Sequence, residues 1–132
     1  MALANQKQVE DFAEELTKCA DSIHDRLMKA IKNKEIEHSE AQLIFQDEVV
    51  LRQRANSLYI DAANCVVAEV GDSQRSILDL IDTAGEKIKA IKKIANFIEL
   101  VADLLVLAAA AYAAKPEPIL AALKEMKEDL GI

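Results

Sequence analysis

From Ile77 to Tyr112 apolar residues recur at alternating spacings of four and three: Ile77, Ile81, Ala84, Ile88, Ile91, Ala95, and on through Ile98, Ala102, Leu105, Ala109 and Tyr112. In a helix that spacing lines the residues up along one side, so the stretch predicts a helix-packing seam. Ile88, Ile91, Ala95, Ile98, Ala102, Leu105 and Ala109 are its candidate packing residues. Between residues 94 and 114 the other faces are apolar too, apart from Glu99, Asp103 and little else. A helix that is apolar on every side has to be covered on every side. The cover can come from the rest of the chain, a second copy, a protein partner or a lipid surface.

Apolar periodicity places four helices in the 132 residues, as a single all-α domain spanning 1–132. Helix 1, about 4–33, carries Val9, Phe12, Leu16, Cys19, Ile23, Leu27 and Ile31 on one stripe. Helix 2, about 39–70, opens on a Ser39/Gln42 capping box, continues through Ile44, Leu51, Ala55, Leu58, Ala62 and Cys65, and stops at Gly71. Helix 3, about 73–114, starts at Asp72 or Ser73 and ends before Lys115-Pro116. A second capping box at Thr83/Glu86, around Gly85, offers a kink near 83–85. Helix 4, about 118–130, presents Ile119, Leu123, Met126 and Leu130. The expected fold is an antiparallel bundle of three long helices plus a short C-terminal one. The last helix would fold back over one side of residues 97–112 and leave the seam to helices 1 and 2.

Apolar residues make up 52% of the chain but aromatics only 4%, with no Trp, which favours close aliphatic helix packing over an aromatic ligand pocket. The net charge of −7 argues against nucleic acid, whose phosphates require clustered Lys and Arg. Residues 1–72 hold 14 acids and 8 bases, an acidic half able to attract a basic partner. Cys19 and Cys65 fall inside apolar stripes without metal-ligand spacing, as buried free thiols in a reducing compartment would. With no basic start and no apolar signal core at the N-terminus, a cytoplasmic location is expected.

Glu35-x-x-His38 resembles the paired ligands of ferritin-like carboxylate bundles, and Asp21-x-x-His24 has the same spacing. Glu35 and His38 fall in the connection between helices 1 and 2, so the two pairs are not expected to converge on a metal. His24, mid-helix, has the setting of a phosphoacceptor, but Arg26-Leu27 follows it where phosphotransfer domains usually carry a Lys-Gly pair. Phosphate-cradling glycine loops are absent, and no Ser, His and acid stand in a suggestive arrangement. A non-enzymatic protein without cofactor, metal or small-molecule substrate is expected.

What remains is association. The expectation is a protein–protein interaction module of adaptor, chaperone, antitoxin or immunity type, meeting a protein partner or a second copy through residues 94–114. Phe97, Glu99, Leu100, Asp103, Leu104 and Leu107 lie away from the seam and are its candidate contacts. The alternative is a membrane-active protein: Lys87, Lys89, Lys92 and Lys93 precede an apolar run long enough to span a bilayer. Its strongly apolar residues contribute roughly −3 to −5 kcal/mol, whereas a charged Glu99 and Asp103 together cost about 5 to 7. Spontaneous spanning at neutral pH is therefore marginal to unfavourable, which leaves an acid-triggered or oligomer-assisted insertion.

Overall fold

The computed structural model describes residues 1–67 and 69–132, and every regular element among them is helical. Five α-helices form: α1 (Gln6–Lys32), α2 (His38–Ile60), α3 (Gln74–Ala90), α4 (Ile94–Ala113) and α5 (Pro116–Leu130), with one 3₁₀ turn at Ala62–Cys65. α1 packs against α2 and α3, α2 against α4, and α4 against α5.

Cross-contacts give the directions. His24 and Asp21 of α1 meet Glu48 and Arg52 of α2, so that pair is antiparallel. Along α1 and α3 the contacts advance together, Gln8 with Gln74, Cys19 with Ile81 and Arg26 with Ile91, so that pair is parallel. α2 and α4 are also parallel, since Arg54 reaches Leu105 and Asp61 reaches Tyr112.

α1 forms where its stripe predicts. The Asn5 side chain accepts the Gln8 amide at 2.9 Å, and Val9, Phe12, Leu16, Cys19, Ile23 and Leu27 are buried. Ile31 stands outside the core. Ser73 caps α3 by accepting the Ser76 amide at 3.1 Å. In α5, which begins at Pro116 rather than Pro118, Ile119, Leu123, Met126 and Leu130 are buried as the stripe predicts.

Helix 2 is shorter than expected. It begins at His38 without a side-chain cap, so the Ser39/Gln42 box does not form, and it ends at Ile60 rather than near Gly71. The expected range includes Ala68, which lies outside the described residues. Ala62 and Cys65 stay buried in the 3₁₀ turn, so the apolar stripe outlives the helix. Beyond it the chain turns back on the N-terminus: the Val67 amide donates to the Leu3 carbonyl at 2.8 Å and the Ala2 amide to Asp72 at 3.1 Å. Ala2, Leu3, Val67 and Val70 are buried there.

Helix 3 is divided, but not at Thr83–Gly85. α3 runs straight through Gly85, where a Cβ would stand 3.3 Å from Cys19 Sγ and 3.4 Å from Ser22 Oγ. That glycine permits close approach of α1 rather than breaking the helix. The break falls at residues 91–93, with Ile91 and Lys93 extended. Arg26 holds it there. Its Nε donates to the Ile91 carbonyl at 2.9 Å, and its two terminal nitrogens grip Glu35 at 3.1 and 3.2 Å. The buried guanidinium also lies 5.9 Å from the centre of the Phe97 ring.

Candidate interaction surface

The break at 91–93 changes which side of the seam is inside. On α3 the seam residues Ile77, Ile81, Ala84 and Ile88 are buried. On α4 the buried residues are Phe97, Leu100, Val101, Asp103, Leu104, Leu107, Ala108, Ala110 and Ala111, and the seam faces out. Ala95, Ile98, Ala102 and Ala109 are exposed, with Ile91 and Leu105 half-buried. α3 runs with α1 and α4 runs with α2, so the extended residues turn the chain back and α4 descends antiparallel to α3. Of the expected contact residues, Phe97, Leu100, Leu104 and Leu107 are buried in the chain's own core in this fold, with Phe97 against Arg26 of α1.

What α4 offers instead is the outward stripe Ala95, Ile98, Ala102, Leu105, Ala109 and Tyr112, with Val106 beside it. Ile98, Tyr112 and Val106 are 37%, 46% and 58% exposed. α2 borders this stripe through Arg54 and Ser57, which line a surface recess with Ala109 and Tyr112, and Leu43, Asp47 and Val50 are spaced to share that side of α2. Leu43 is exposed, and Arg54 Nη1 donates to the Leu105 carbonyl at 3.0 Å, fixing α2 alongside. At the far end the Tyr112 hydroxyl donates to Asp61 at 2.7 Å. Cys65 Sγ donates to the Tyr112 carbonyl at 3.7 Å. A separate apolar groove of about 480 Å³ lies between α1 and α2, with Met28, Ile31 and Phe45 at its rim.

The two acids of α4 part company. Glu99 is exposed, whereas Asp103 is buried in the α4–α5 contact with one carboxylate oxygen lacking any hydrogen-bond partner. Burial, and then Asp129 beside it with Glu125 and Glu99 nearby, pushes the Asp103 carboxyl up to about 7. Near neutrality it is poised to hold a proton that α5's own acids favour.

The four lysines ahead of α4 also differ in use. Lys87 donates to the Leu130 carbonyl at 2.7 Å and so ties down the end of α5, and Lys89 pairs with Glu86 at 3.7 Å. Lys92 and Lys93 are exposed at the start of α4. Cations at the positive end of a helix dipole oppose it, and the last turn of α4 contains no basic residue.

The other candidates are structural. Glu35 is occupied by Arg26, while His38 is the exposed first residue of α2. His24 Nδ1 lies 2.9 Å from Glu48 Oε1 in a network that continues from Glu48 to Arg52 and on to Asp21. Among the described residues no three His, Cys, Asp or Glu are grouped to hold a metal ion. Cys19 and Cys65 are buried free thiols; burial pushes Cys19 up to about 12, which leaves it unreactive. Arg26 and Glu48 are the residues sequence reasoning passed over. Both sit on apolar stripes, Arg26 between Ile23 and Leu27, Glu48 between Ile44 and Leu51, and a charge on a buried face must have a partner. That was the available signal.

No protein-family model matches this chain, and neither a curated protein nor a solved structure is significantly similar to it.

Proposed function

We propose that this protein is a non-enzymatic helical interaction module that binds another protein surface, or a second copy of itself, through the outward side of α4. The observation that carries this reading is the outward repeat Ala95, Ile98, Ala102, Leu105, Ala109, Tyr112, exposed except for the half-buried Leu105 and flanked on one side by α2. Scattered surface apolar residues need no explanation, but a periodic stripe along a 20-residue helix has the form of a docking face. The small residues let a partner helix approach closely, and Ile98, Leu105 and Tyr112 supply area. We place the protein in a reducing compartment such as the cytoplasm, in keeping with its two free buried thiols.

The test is a photo-crosslinking amino acid placed at Ala102, with Arg75 on α3 as control, in the cell that makes the protein. Protein adducts from position 102 and not from position 75 are expected. Absence of adducts from either position contradicts the reading.

A second reading has one observation in its favour: α4 is long and apolar enough to cross a membrane, with a mean hydropathy of 2.0 over its best window. That window is 44% buried, and α5 would have to leave before α4 could insert. Lipid-only adducts from position 102, together with vesicle flotation that increases from pH 7 to pH 5, would favour insertion over protein docking.

A further inference from the structure

The stripe on α4 carries more information than its polarity, because its large and small residues alternate. We infer that the partner of this face is a second copy of the chain, with two α4 helices packed antiparallel about a two-fold axis passing between residues 103 and 104. This rests on the reading of α4 as a docking face and names its occupant.

The size pattern selects that geometry. With the axis between 103 and 104, Ala95 opposes Tyr112, Ile98 opposes Ala109, and Ala102 opposes Leu105, each pair occurring twice. Every layer of the contact joins one small and one large side chain, so all layers suit a single interaxial distance. A parallel pair would set like against like, Ala on Ala and Ile on Ile, alternating gaps with collisions. Antiparallel registers shifted by one heptad retain the alternation but lose the end layers. Only the register centred between 103 and 104 uses all six positions. It also sets Val106, the most exposed of the large apolar side chains on α4, beside its own copy near the axis.

Lys92 and Lys93 stand at the start of α4, where they oppose its dipole, and the last turn of α4 contains no basic residue. Antiparallel pairing brings the two lysines of each copy to the negative C-terminal end of the other α4. Asp61, held by Tyr112, and Glu117 add acid at that end, with Lys115 between them. In this register Lys93 stands opposite Ala114 of the second copy and Lys92 opposite its Lys115, so charge does not add to the size argument there; the contact is isologous, as closed dimers require.

The face is also large enough. From residue 95 to 112 the stripe is about 26 Å long. With Leu43 and Val50 of α2 beside it, the face is two helices or about 20 Å wide. Its plane is roughly 500 Å², of the order needed for the ~800 Å² of accessible surface that each partner buries in a standard interface.

The experiment uses the full chain in detergent-free buffer at neutral pH. Size-exclusion chromatography with light scattering at tens of micromolar should give twice the 14.5 kDa chain mass. Ile98→Cys and Ala109→Cys are then prepared separately, and their exposed positions leave the fold intact. Mixed and oxidised, the two should form a disulfide-linked dimer, and neither should do so alone. If Ile98→Cys links to itself, the helices are parallel; if a dimer forms but the mixture does not link, α4 is not its interface. Either outcome overturns the inference. A monomer overturns it too, and the photo-crosslinker then separates two cases. Adducts to a different protein leave α4 as a docking face for that protein, whereas no adducts remove the docking reading as well.

Discussion

α3 and α4 read as one continuous seam in the sequence, yet the fold uses them oppositely. On α3 the repeat Ile77, Ile81, Ala84, Ile88 is core, and on α4 its continuation Ala95, Ile98, Ala102, Ala109 is surface. Three residues, 91 to 93, make the difference, because they turn the chain back on itself and a heptad repeat assumes one uninterrupted helix. Periodicity therefore identifies which residues share a face. It does not say which way the face points once the helix is interrupted.

That contrast can be broken at several points. The largest effect is expected at Phe97, whose fully buried ring meets the Arg26 guanidinium; Phe97→Ala should cost about 3–5 kcal/mol in urea unfolding. If Phe97 were the partner contact first expected, the loss would be under about 0.5 kcal/mol. Arg26→Met tests what holds the break. It orphans the Ile91 carbonyl and frees Glu35, so stability should fall by about 2 kcal/mol. Hydrogen exchange should quicken at 33–37 and 91–94 while α5 is unaffected.

The two halves of the seam can be compared with one substitution. Ala84→Leu, on α3, overpacks a closed contact and should cost about 1–3 kcal/mol. Ala102→Leu, on α4, should change fold stability by less than about 0.5 kcal/mol, and in the proposed dimer, where it would oppose Leu105 of the second copy, it should weaken self-association.

Asp103 gives a smaller and pH-dependent difference. Its carboxyl titrates near 7 in the fold and near 4 when unfolded, so the folded state binds the proton more tightly. The resulting stabilisation is full below about pH 4 and is lost as pH rises through 7. Between pH 5 and pH 8 the parent should therefore lose about 1 kcal/mol more than Asp103→Asn does, after allowance for solvent screening by the half-exposed Asp129. Equal losses would show that α5 does not hold Asp103 protonated.

How much of this was legible depends on what each helix asks of its neighbours. α1 and α5 have one apolar stripe and polar remainders, so their buried faces follow from spacing alone, apart from Ile31. The start of α3 was legible too, because Ser73 caps it with its own side chain. α2 was harder, since Leu43, Phe45, Val49 and Ile60 scatter apolar surface around its circumference, and its end depends on Val67 and Val70 docking against Ala2 and Leu3. α4 was hardest. Apolar all round, it has no polar face to declare which side is outside, and its orientation is set by Arg26, about 65 residues upstream of the break. Glu99 and Asp103 look equivalent in sequence, and only the packing of α5 separates the exposed acid from the buried one.

The most direct test of the central claim, that α4 buries the Phe97–Leu104 side and leaves the Ala102 side open, is a pair of circular dichroism melts on Leu104→Arg and Ala102→Arg. The account predicts that Leu104→Arg loses the cooperative transition and Ala102→Arg keeps a cooperative helical melt. A cooperative Leu104→Arg alongside an unfolded Ala102→Arg would mean that the seam, not the Phe97 side, is the core of this protein.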